Sequence, residues 1–147
     1  MNLSAEQIRL LRSRAVEAAG HSYSPYSRFP VGAAVLSRSG AVYAGCNVEN
    51  ASFGITQCAE RSALAAAIAA GEAPGSLSGL LIYTPGAQAH PPCGPCRQVM
   101  HELMAEDSEV VSCCDGDEIR RWSRDDYLPD PFTPGALLDR KPGPEES

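Results

Sequence analysis

The order of predicted elements points to an α/β layered domain with a mixed sheet, and three observations carry that reading. Helical patterns alternate with short strand patterns, which is how helices come to cover a sheet. The first two strand patterns are separated only by a turn, so the sheet opens on a hairpin and is not purely parallel. The later strand patterns are short apolar runs bounded by turn residues, as buried strands are.

The elements follow in order along the sequence. Ser4 is placed to cap a first helix, whose apolar stripe is Ile8, Leu11, Ala15 and Ala18 and which Gly20 stops. HSYSPYSRFP is punctuated by proline and serine and reads as a loop. VGAAVLSRSGAVYAGCNV reads as the hairpin, turning at Ser39 and Gly40. A loop from Asn50 to Thr56 leads into CAERSALAAAIAA, a helix rich in the best helix former, with Gly71 as its C-terminal stop. GLLIYTP is a buried strand, and PPCGPCRQVMHELMAE is a tight loop entering a third helix. SEVVSCC is the next strand and EIRRWSR a last, more exposed one, with Ser123 placed to cap a helical turn over DDYL. A single domain over residues 1–140 is expected, and KPGPEES (141–147) reads as a disordered tail.

A chain of 147 residues can bury a core without disulfides. Its net charge of −6, with twelve scattered Lys and Arg, argues against a nucleic-acid or anionic-membrane partner, since phosphate binding needs clustered cations. No apolar run reaches membrane-spanning length, and MNLSAEQIRLLRSRAVEAAG lacks the order of a signal peptide. A cytoplasmic location is therefore expected, and there six cysteines speak for metal or catalytic thiolates rather than a disulfide framework.

Two cysteine motifs carry the chemistry, each where the chain enters a helix N-terminus, whose partial positive charge favours thiolates. One is Cys58-Ala59-Glu60; the other is Pro92-Cys93-Gly94-Pro95-Cys96. Three thiolates from two such turns can hold Zn²⁺ on three sides, leaving a fourth position for water, as catalytic zinc sites do. Glu60 stands two residues after Cys58, near enough to face that water and shuttle protons without binding the metal. Two plainer readings stand beside this one. CxxC alone can be a redox pair, though Cys58 and Glu60 have no place in that reading. His90 could close the zinc site as a fourth ligand, although Pro91 and Pro92 restrict its turn inward. Cys46, Cys113 and Cys114 lie in strand patterns and are expected to pack as small apolar residues.

Cys-x-Glu followed by Pro-Cys-x-x-Cys is a zinc deaminase signature. With SPYSRFPVGAAV, GCNVENASFGITQCAERSAL, PCGPCRQV and LPDPF, the chain resembles the small homotetrameric cytidine deaminases over about residues 5–138. The resemblance implies a three-layer α/β/α sandwich with a mixed five-stranded sheet. It also implies one zinc per chain on Cys58, Cys93 and Cys96, with Glu60 as proton shuttle for hydroxide attack on C4 of cytidine or 2′-deoxycytidine. Asn47 and Glu49 would bind the ribose hydroxyls, Phe29 would pack on the pyrimidine, and Arg61 would offset thiolate charge. Phe132 would reach a neighbouring subunit's site in a homotetramer, and the role would be pyrimidine salvage. Intact NVEN favours ordinary nucleosides over a nucleoside antibiotic. A zinc-stabilised interaction module would instead need four protein ligands.

Overall fold

The computed structural model describes residues 2–138. A helix α1 (Ala5–Ala19) leads into strands β1 (Gly32–Ser37) and β2 (Val42–Cys46). After a one-turn 3₁₀ helix (Phe53–Ile55) come α2 (Ala59–Ala69), β3 (Leu77–Tyr83), α3 (Gly94–Leu103), β4 (Met104–Cys113) and β5 (Arg120–Ser123). Two short helices follow, α4 (Arg124–Tyr127) and α5 (Pro134–Leu138).

The five strands form one mixed sheet in the order β2-β1-β3-β4-β5. All neighbours are antiparallel except β3 and β4, the pair joined through α3. Alternating side chains sort the core into two layers, as the period of a strand requires. Ala34, Leu36, Leu81 and Val111 pack with Leu11 and Ala15 of α1 on one face. Ala33, Val35, Leu80, Ile82 and Val110 pack with Ala63, Leu64, Cys96 and Met100 of α2 and α3 on the other. The result is the expected three-layer sandwich. Cys113 and Cys114 are buried, Cys113 in the α1-facing layer, while Cys46 is half-buried on β2.

Local sequence accounts for most boundaries. Ser4 caps α1 in a reciprocal capping box with Gln7, and Ser123 caps α4 in the same way with Asp126. Gly40 turns the hairpin at φ 91°, a conformation that glycine adopts without penalty. Gly45 lets α2 lie on β2: a Cβ there would come within 2.5 Å of the Ala63 backbone nitrogen. That close approach fixes the height of the helix that carries Cys58, Glu60 and Arg61.

Three boundaries differ from the sequence reading. The fourth buried residue of the α1 stripe is Ala19, with Ala18 only half-buried. Helix α3 ends at Leu103, and Met104 opens β4 directly, so MetAlaGlu is strand rather than helix. Met104 pairs with Leu77 of β3, and this long-range pairing overrides the helical propensity of the segment. Helix α5, over Pro134–Leu138, has no counterpart in the sequence reading. The expected tail at 141–147 lies outside the described residues. No helix among the described residues is long and apolar enough to cross a membrane.

Candidate active site

Cys58 and Cys93 are the N-cap residues of α2 and α3, and Cys96 lies in the first turn of α3. Their Sγ atoms all lie within 4.8 Å of one another. The Cys58–Cys93 separation is 3.8 Å, and that of Cys93 and Cys96 is 3.1 Å. A tetrahedral zinc with bonds of about 2.3 Å sets its sulfurs about 3.8 Å apart, so the first pair matches and the second needs to open slightly. The donor set, three sulfurs at two helix N-termini, fits zinc. It is the one cluster of three or more metal-capable side chains among the described residues, and His90 is not part of it.

The electrostatics favour a thiolate at Cys58. The Cys58 thiol is pulled down to about 5, first by its hydrogen bond with Cys96 and then by the Arg61 guanidinium. An Arg61 amine donates to Cys58 Sγ at 3.4 Å and to the Thr56 carbonyl at 3.3 Å. Cys96 is pushed up, by hydrogen bonding to Cys58 and by burial. Glu60 is 6% exposed. Burial holds its carboxyl above the ordinary glutamate value, and the negative charge of Cys58 adds to the shift.

Glu60, Cys58 and Cys93 line a cavity of about 300 Å³ whose other end carries Asn47, Glu49 and Ser27. Backbone pairing positions that end. Val48 bridges Tyr23 on one side and Gln57 on the other, so Asn47 and Glu49, two residues apart, share a face. Because Gln57 directly precedes Cys58, the same bridge ties this strand-like segment to the thiolate end.

Asn47 Oδ1 accepts from the Val31 amide at 2.9 Å and pairs with the Ser22 hydroxyl, while Nδ2 donates to the Phe29 carbonyl at 2.9 Å. One N–H remains for a ligand. Glu49 Oε1 accepts from the amides of Tyr26 and Ser27 at 3.0 and 3.1 Å, and the Ser27 hydroxyl donates to Oε2. The Ser27 hydroxyl, then the Ser27 amide, hold the Glu49 carboxyl below its usual range, so it stays an ionised acceptor. Asn47 therefore offers a donor and Glu49 an acceptor, the complement of neighbouring hydroxyl groups.

Phe29 also lines the cavity and is 38% exposed. Arg28 before it takes φ 55°, a left-handed conformation uncommon for a side-chain-bearing residue, which turns the chain at the cavity mouth. The structure thus brings Cys58, Cys93, Glu60, Asn47, Glu49 and Phe29 to one cavity, with the buried Cys96 clustered with the other two sulfurs and Arg61 against Cys58. Phe132 does not line it. It is 59% exposed, on a loop whose carbonyl accepts from Gln98 of α3 at 2.7 Å. The sequence reading gives Ser27 no role and weighs His90 only as a fourth zinc ligand, whereas the structure sets both on the cavity wall and His90 outside the sulfur cluster. Ser27 lies inside the quoted PYSRF segment, but nothing in spacing alone pairs it with Glu49, 22 residues away.

Comparison with known proteins agrees with this geometry. A family model described as the cytidine and deoxycytidylate deaminase zinc-binding region matches residues 5–114. A cytidine deaminase of Halalkalibacterium halodurans is 40% identical over 131 residues, covering 89% of this chain and 98% of the relative. The crystal structure of a cytidine deaminase from Burkholderia pseudomallei superposes with a TM-score of 0.82 at 42% identity, covering 88% of this chain and all of that one. That of a cytidine deaminase from Mycobacterium tuberculosis gives 0.71 at 39% identity, covering 85% and 96%.

Proposed function

The chain belongs to the cytidine and deoxycytidylate deaminase family, and we propose that it hydrolyses free cytidine and 2′-deoxycytidine to uridine and 2′-deoxyuridine plus ammonia. The observation that carries this reading is a cluster of three thiols beside a buried carboxyl, opening on a cavity that the Asn47–Glu49 donor–acceptor pair also lines.

Cys58, Cys93 and Cys96 would hold one zinc ion, and Arg61 would offset the excess negative charge of three thiolates. When bound, zinc supplies a Lewis acid that makes hydroxide available near neutral pH. Glu60 takes a proton from the attacking water and delivers it to ring N3 as C4 is attacked. It then takes the remaining proton from the new C4 hydroxyl and gives it to the departing amine, so the C4–N bond breaks, ammonia leaves and the ring keeps a carbonyl oxygen at C4. A carboxyl raised by burial suits both transfers, because it can hold and release a proton closer to neutrality than an exposed glutamate. At the other end, Glu49 accepts from a sugar hydroxyl, the spare Asn47 N–H donates to one, and Phe29 covers the base.

The exposed Phe132 side chain supports a site shared between subunits of a homotetramer. The physiological role proposed with it is pyrimidine salvage in the cytoplasm. One preparation tests the reading. Loss of cytidine absorbance is expected, with about one zinc per chain and the sedimentation mass of a tetramer. Bound zinc without turnover of cytidine or 2′-deoxycytidine would overturn the assigned reaction, and a monomer would remove Phe132 from the site.

A further inference from the structure

The cavity leaves one stretch of wall unassigned. Its chemistry end is fixed by Cys58, Cys93 and Glu60, and its hydroxyl end by Asn47 and Glu49. A nucleoside laid between them sets its base against part of the remaining wall, which includes Phe29, Val31, Ile82, Thr84, His90 and Pro91. Only two of these are aromatic, and they touch. The Phe29 and His90 rings meet edge-to-face, with centroids 6.0 Å apart and planes at 75°. We propose that His90 is a base-binding residue, a second aromatic surface that adjoins Phe29 and with it covers the pyrimidine ring. This inference rests on the nucleoside reading given above.

Both rings stand on immobilised backbone. The Ser112 hydroxyl donates to the His90 carbonyl at 2.6 Å. The preceding amide, of Ala89, donates to Glu118 at 2.8 Å. Pro91 and Pro92 then fix the following φ angles. Opposite, the Phe29 amide donates to the Ser27 hydroxyl at 3.1 Å, and its carbonyl accepts from Asn47 at 2.9 Å. The rings can turn about their side-chain torsions while the chains beneath them stay in place. Two aromatic groups on fixed supports form a wall at little entropic cost, which is how rigid rings gain affinity. Both are also exposed, as surfaces awaiting a ligand would be.

The imidazole thus has a place that does not involve the metal. It stands outside the thiolate cluster and against the ring predicted to pack on the base. A residue acting only on the base should affect binding and leave the chemical step alone.

The test compares His90→Ala and His90→Phe with the unaltered enzyme. Cytidine kinetics would be paired with calorimetric binding of uridine, which needs no turnover. In His90→Ala, KM and the uridine Kd should both rise about five- to tenfold, the scale of one aromatic contact, with kcat within about twofold. His90→Phe should recover most of that loss, and zinc content should be unchanged in both. Unmoved KM and Kd in His90→Ala, a loss confined to kcat, or no recovery in His90→Phe would each overturn the assignment. Failure of the deaminase reading looks different. The unaltered protein would then not turn cytidine over, while uridine binding would still report on His90. If it bound no uridine either, both readings would fall.

Discussion

The two ends of the cavity are built on opposite principles. At the thiolate end, Cys58, Cys93 and Cys96 stand at the first turns of two helices, and Glu60 is buried beside them. Burial does the tuning there, raising the Glu60 carboxyl. At the hydroxyl end, Asn47 and Glu49 stand on a short bridged segment, and donated hydrogen bonds do the tuning, lowering the Glu49 carboxyl. Two glutamates eleven residues apart in sequence are driven in opposite directions because one loses water and the other gains donors. Desolvation raises the proton affinity of one; a nest of donors lets the other hold its charge, which is the contrast that the proposed roles of proton shuttle and hydroxyl acceptor need. The Val48–Gln57 bridge ties the segment that carries Asn47 and Glu49 to the residue before Cys58.

The sharpest test of that contrast is Glu60→Gln. It should lower kcat by at least about 10²- to 10⁴-fold, the usual worth of a positioned acid–base group, while zinc content and uridine affinity stay level. Full turnover in this variant would show that the buried carboxyl is not the proton carrier. Glu49→Gln should act on the other axis. Hydrogen bonds to a charged group contribute about 1.5–3 kcal/mol, so KM should rise about tenfold to a hundredfold with a much smaller change in kcat. An equal fall in kcat with KM unchanged would erase the division between the ends.

Ser27→Ala should give the smallest effect. The Ser27 hydroxyl is the leading cause of the low Glu49 carboxyl, so its loss lets that carboxyl rise towards the ordinary glutamate range. In the proposed reading the carboxylate is the form that binds. Affinity for uridine should therefore begin to fail at a higher pH in Ser27→Ala than in the unaltered protein as the solution is acidified. At neutral pH, where both carry the charge, the loss should be only about threefold, because Ser27 acts on the ligand only through the position of the Glu49 carboxylate. Superimposable pH profiles would mean that Ser27 does not govern Glu49.

Much of this was readable in advance. Ser4 and Ser123 as caps, Gly40 at the hairpin and both cysteines at helix entries all depend on contacts within one turn of chain, which residue type and spacing specify. The end of α3 was misread because Met104 is claimed by a partner far away, Leu77. The support that Ser27 gives Glu49 and the contact of His90 with Phe29 were invisible for the same reason: each joins segments that only the folded sheet brings together.

The sequence by itself determined the chemical vocabulary of this protein. Three thiols, a carboxyl two residues after one of them, helix starts that favour thiolates and strands that alternate between two faces are all consequences of short-range backbone geometry. The tertiary structure alone decided that Cys58 and Cys93, 35 residues apart, stand 3.8 Å from each other, and that two glutamates face one cavity with opposite proton affinities. Those outcomes depend on the order of the strands and the depth of burial, which are properties of the whole packed sheet and not of any single segment.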